Sequence, residues 1–267
     1  MALARLPPAP ARAPSRDASA RAAPSRARAF ARAGRAPRDV SKTSRRCGVA
    51  KSSNDVDAVE YAPVDPRAFL SGSCAAYAVA TASAEVLCRF ADVHPDVVDG
   101  AAHGFNVDAA ALWMCPLLAS LTLAVTQSDK YEFLREVRVM FERGVLPSVA
   151  PLGVVGILAL SLGAGVGEEA VFRGFLMPWV DQRLESFGVG GDAAAFGALA
   201  STSLVFGALH AITPAYAIWA TWASVLFSIE YVRDGLGSAM FTHTLYDFLA
   251  FCYVIVSWMP DREPSEE

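Results

Sequence analysis

Three groups of side chains in this chain have the types and spacings to activate water. Glu168, Glu169 and Arg173 lie inside the otherwise apolar run LGAGVGEEAVFRGFLM. His210 follows Phe206 by four residues, and Asp247 follows His243 by four. A charge at the centre of a bilayer costs roughly 2.5–3.5 kcal/mol on insertion scales, so ionisable residues at that depth are candidates for function. On a helix, Glu169 and Arg173 are i,i+4 neighbours and can pair. Glu168 points about 100° away, because a turn holds about 3.6 residues. One carboxylate is then neutralised within its own helix, and the other stays available. A glutamate near a histidine in a desolvated site can serve as a general base. A second histidine with a hydrogen-bonding neighbour, here His243 with Asp247 on one helix face, can stabilise the oxyanion formed when water attacks an amide. This would be a hydrolase with no covalent nucleophile.

The elements that must position these groups are membrane helices. The chain has 267 residues, 54% hydrophobic and 19% charged, with a mean hydropathy of +0.33. That composition favours an integral membrane protein over a soluble domain. Apolar runs at residues 68–90, 109–127, 149–166, 167–185, 193–212, 215–232 and 238–258 predict an all-α, polytopic membrane helical bundle. It would contain about six to eight transmembrane or membrane-embedded helices. Residues 91–108 read as a loop. Within residues 129–145, Phe133, Leu134, Val137, Met140 and Phe141 recur at helical spacing opposite Glu and Arg, which predicts an amphipathic helix. Gly163, Gly165 and Gly167 are expected to loosen or break the span ahead of the two glutamates, and Pro178 to kink the segment after them. Glu85 lies in the first span, either near its end or facing the bundle.

The charge is unevenly placed. Residues 1–46 carry eleven Arg and one Lys against Asp17 and Asp39. From Cys47 onward there are 11 basic and 25 acidic residues. The leader is rich in Arg, Ala, Pro and Ser and has no apolar h-region, so residues 1–47 read as an organelle transit peptide. A chloroplast membrane is the first expectation for the destination, and a mitochondrial membrane the second. No nucleic-acid partner is expected. Residues 48–67 read as a linker, 68–258 as the membrane-embedded domain and 259–267 as an acidic tail. The five cysteines show no CxxC or Cys/His ligand spacing and read as buried small hydrophobes. Trp219, Trp222 and Trp258 read as core or interface anchors, and His94 and His103 as solvated loop residues.

EExxxR from Glu168 to Arg173, FxxxH from Phe206 to His210 and HxxxD from His243 to Asp247, in that order, resemble the three motifs of the CAAX protease and bacteriocin-processing family. This is the Abi family of intramembrane proteases, which includes the type II CAAX prenyl endopeptidases. The likeness covers roughly residues 110–258. It implies an eight-helix membrane fold and glutamate-dependent peptide hydrolysis without a cofactor. By the same resemblance, Glu168 would activate water together with His210. His243 and Asp247 would support the oxyanion and the water, Glu169 and Arg173 would orient the site, and Phe206 would pack it. The family carries Asn or Asp at the last position, and an Asp there supports an anion when protonated or through His243 or a water.

Other chemistries use the same residue types. Glu168, His210 and His243 are acceptable zinc ligands, but HExxH is absent, so a zinc-dependent membrane protease ranks second and no metal is expected. A shared fold does not entail catalysis, so a scaffold that stabilises chloroplast membrane proteins is the rival from another class. Chains of Glu, His and Asp also serve as proton relays in transporters. The expected partners are the lipid bilayer and an organelle membrane protein or peptide as substrate.

Overall fold

The computed structural model describes residues 64–259. The leader, nearly all of the linker and the acidic tail after Met259 lie outside the described residues. Among the described residues the secondary structure is helical throughout, with no strand.

Helix α1 (Pro66–Ala91) starts where Asp65 accepts from the Ala68 amide at 2.8 Å and Pro66 occupies the first turn. Both are helix-start signals, because the first four N–H groups lack partners within the helix. It ends at Asp92 in a left-handed conformation. A short helix, α2 (Val97–His103), occupies the segment expected to be loop, capped by Asp96. Glu85 explains its position: it pairs with Arg89 at 2.6 Å and accepts from the Val98 amide at 3.3 Å, joining α1 to α2. Helix α3 (Val107–Gln127) is capped by Asn106. The amphipathic segment forms α4 (Glu132–Met140), whose Val137 and Met140 are buried while Phe133 is exposed. It continues through a widened π turn into the single turn α5 (Leu146–Val149).

The break expected within Gly163–Gly167 does not occur. Helix α6 (Gly153–Glu169) runs unbroken through all three glycines, and the chain breaks instead at Gly153, with φ 65° and ψ −179°. That backbone conformation is essentially open to glycine alone. The glycines inside α6 serve close packing. A Cβ on Gly165 would lie 2.7 Å from the Thr244 amide nitrogen and 2.9 Å from its Cα. Helix α10 (Leu236–Trp258) therefore crosses α6 at near backbone contact, with His243 and Asp247 next to the crossing. Gly165→Ala must push α10 away. It is expected to cost about 1–3 kcal/mol, as overpacking does, read as a lower Tm of the detergent-solubilised protein. An unchanged Tm would contradict this account.

After Glu169 the helix widens into a π segment (Ala170–Leu176) and continues as α7 (Met177–Ser186). Pro178 has no N–H for the Gly174 carbonyl, and the Cys88 thiol on α1 donates to that carbonyl at 3.5 Å. Helix α8 (Gly191–Leu209) stops before His210, and α9 (Pro214–Asp234) is started by Thr213, which accepts from the Tyr216 amide at 3.1 Å. Gly235, at φ 96°, alone turns α9 into α10.

The tertiary pairs that matter are α6 with α10 and α1, and α8 with α9. Five stretches among the described residues are long and apolar enough to cross a bilayer: Pro66–Ala91, Val107–Gln127, Glu132–Ser186, Gly191–Leu209 and Leu236–Trp258. Apolar side chains also face outward. On α6, Val154, Val155, Leu158 and Leu162 are exposed while Ile157 and Leu160 are buried. A helix that is apolar all round suits a lipid environment. The chain is thus a polytopic helical membrane bundle. The cysteines differ from expectation: of the four described, only Cys88 is buried and Cys115 is exposed. Trp258 lies in the core, Trp219 donates to the Tyr246 hydroxyl at 3.1 Å, and Trp222 is exposed.

Candidate active site

Adjacent glutamates at the end of α6 reach opposite nitrogens of one histidine. Glu169 Oε1 lies 2.8 Å from His243 Nδ1 and 2.8 Å from Arg173 Nη1, so the pair expected from i,i+4 spacing is present and extends to His243. Glu168 Oε2 lies on the other side of that ring, 4.0 Å from His243 Nε2. The two carboxylates diverge because consecutive helical residues point about 100° apart. Their surroundings differ accordingly: the Glu169 side chain is 0% exposed and that of Glu168 is 18% exposed.

Arg173 is held in a fixed fork. Its Nε donates to Ser228 Oγ at 3.2 Å, and its Nη2 donates to Ser224 Oγ at 2.7 Å and to the Ser224 carbonyl at 2.5 Å. Phe172, Phe206 and Phe227 surround the guanidinium, with centroids 5.9, 5.4 and 5.7 Å from Cζ. Few groups other than a guanidinium could fill such a site, because its planar donors point in several fixed directions. Glu169 Oε2 has no hydrogen-bond partner within the protein.

His210 caps the end of α8. Its Nδ1 donates to the Phe206 carbonyl at 2.8 Å, one of the carbonyls a helix end leaves open. A carbonyl only accepts, so Nδ1 carries the hydrogen, and Nε2 of the neutral ring is an acceptor. That Nε2 lies 3.9 Å from Glu168 Oε2. Phe206 stacks on the His210 ring at 4.4 Å, and Phe227 stacks on the His243 ring at 4.4 Å. Asp247 Oδ2 is 3.5 Å from His243 Nε2.

Glu168, His210, His243 and Asp247 all line one cavity of about 290 Å³. Tyr77 of α1 and Tyr216 of α9 line it beside these groups, and Leu121, Val137, Phe141, Val149, Trp219 and Val254 are among its apolar lining. The structure therefore brings together every residue singled out from the sequence: Glu168, Phe206, His210, His243 and Asp247 line the cavity, and Glu169 and Arg173 lie behind His243. Among the described residues, no group of three or more His, Cys, Asp and Glu side chains is arranged to hold a metal ion.

Several residues at the site were not legible beforehand. Tyr77 donates to Glu168 Oε1 at 3.3 Å from 91 positions away. Ser224 and Ser228, four apart on α9, form the Arg173 seat, and a small-polar pair at that spacing was the available signal. Glu230 is fully buried, accepts from Thr242 at 2.6 Å and leaves Oε2 without a partner. A glutamate inside the apolar run Ala215–Val232 was its mark.

Comparison with known proteins gives one match. The family described as type II CAAX prenyl endopeptidase Rce1-like matches residues 150–249, which contain all three motifs. No curated protein and no solved structure matches the chain. Over that segment, which runs from just before α6 into α10, the chain is similar to this family of membrane peptidases.

Proposed function

We propose that this protein is an intramembrane endopeptidase of the glutamic type. One observation carries the reading: Glu168 Oε2 has the Nε2 atoms of both His210 and His243 within 4.0 Å, in a cavity inside an apolar bundle. A gap of 3.9 Å is too long for a direct bond and suits a bridging water. Such a water would donate one hydrogen to Glu168 Oε2 and the other to His210 Nε2. Its lone pair would then be free to attack the scissile carbonyl. Glu168 takes the proton as the C–O bond forms and returns it to the leaving amine as the C–N bond breaks. His243 donates from Nδ1 to Glu169, and in its imidazolium form it carries a second hydrogen on Nε2 that it offers to the oxyanion. Asp247 acts through His243, holding that edge of the ring.

The apolar lining of the cavity suits a substrate with apolar side chains beside the cleaved bond, as in a membrane protein or membrane-bound peptide. The Arg- and Ser-rich leader supports an organelle membrane as the location, with a chloroplast membrane first. Prenylated CAAX proteins are processed on cytosol-facing membranes, which makes an imported enzyme a poor candidate for that substrate.

The test compares N-termini in membranes carrying wild-type protein or Glu168→Gln. New N-termini that vanish with Glu168→Gln support the proposal; identical sets overturn it. The same cleavage should survive chelation. Loss on chelation with recovery on adding zinc would favour the metalloprotease instead.

A further inference from the structure

The three motifs do not account for how the Glu168 carboxylate keeps one oxygen turned toward the histidines. The last torsion of a glutamate is broad and roughly two-fold, so packing alone holds the carboxylate plane weakly. In this chain Oε1 accepts from the Tyr77 hydroxyl at 3.3 Å, and Oε2 is the oxygen near His210 and His243. Tyr77 lies on α1, outside the segment matched by the family and outside every motif.

The Tyr77 ring is itself seated. A Cβ on Gly163 would lie 3.0 Å from Tyr77 Cδ2, and a Cβ on Gly167 would lie 2.9 Å from Tyr77 Cβ and 3.0 Å from Cδ1. Two glycines four residues apart open a slot on α6, as small residues do where membrane helices approach closely. The slot receives one tyrosine from α1 and aims its hydroxyl at the next residue along α6. Tyr77 also lines the cavity beside Glu168.

We propose that Tyr77 is a positioning residue for the water-activating carboxylate, held in place by the Gly163/Gly167 slot. It fixes Oε1 so that Oε2 faces the water site, and it does not touch the substrate's reacting atoms. This rests on the reading of Glu168 given above. The 3.3 Å separation is longer than a charge-assisted O–H···O⁻ bond usually is, so a moderate effect is expected.

The experiment uses the full chain in lipid vesicles, with the membrane peptide whose cleavage depends on Glu168 as substrate. Tyr77→Phe keeps the ring in its slot and removes only the hydroxyl. It should lower kcat about 10-fold, the scale of one hydrogen bond to a charged group, while KM and Tm stay unchanged. Gly163→Ala should also lower kcat by displacing the ring. In the Tyr77→Phe background it should add little, because contacting residues are not additive. A wild-type kcat for Tyr77→Phe beside an inactive Glu168→Gln would overturn the positioning role and leave the glutamic mechanism standing. A kcat that falls only in step with Tm would reduce Tyr77 to packing and also overturn it. An active Glu168→Gln would remove the glutamic mechanism and this inference with it.

Discussion

Glu168→Gln is expected to abolish cleavage, lowering kcat by about 10³-fold or more, within the range that a general base contributes. KM and Tm should stay near wild type. The amide retains the size of the carboxylate and can still accept from Tyr77, so the cavity keeps its shape. It cannot take a proton from a water placed between position 168 and His210 Nε2. The Glu168 side chain is 18% exposed at the edge of a cavity, so neutralising it leaves no buried charge unpaired. A scaffold would be indifferent to this substitution. A proton-coupled transporter would lose pH-driven flux in liposomes and never show peptide cleavage. Full cleavage activity in folded Glu168→Gln protein would end the glutamic reading.

Arg173→Ala is expected to act on stability first. The guanidinium is 1% exposed and donates to Glu169, Ser224 and Ser228. Removing it leaves a fully buried Glu169 with His243 as its remaining partner and with its other oxygen still unpartnered. Breaking a buried ion pair by deleting one partner costs about 3–5 kcal/mol. The protein should show a large fall in Tm or fail to purify as a monodisperse species. Arg173→Lys should rescue little, because one ammonium cannot reach three acceptors lying in different directions. Glu169 also fixes His243, so residual folded protein should cleave poorly. A normal Tm for Arg173→Ala would show that the pair contributes little to the bundle.

The two substitutions separate roles that the sequence places side by side. Glu168 and Glu169 are neighbours of the same chemical type, yet one is assigned to the reaction and the other to the framework. That division follows from helical rotation and from which residue has Arg173 one turn away, and both are properties of local sequence.

The sequence by itself determined the class of molecule, the order of its long helices and the identity of its polar residues, but not the short helix α2. Apolar runs of span length and the 168/173, 206/210 and 243/247 spacings are local in the chain, so they can be read without coordinates. The glycines misled because a glycine loosens an isolated helix but also permits close approach, and only the partner decides between these. At Gly165 the partner is Thr244, and at Gly163 and Gly167 it is Tyr77. Those contacts join α6 to helices about 80 residues away in either direction, and no local pattern carries that pairing. Tertiary structure alone decided that two glutamates straddle His243, that serines of α9 receive Arg173 and that a tyrosine of α1 reaches Glu168. Such contacts depend on how whole helices cross, which is set by shape complementarity summed over many residues.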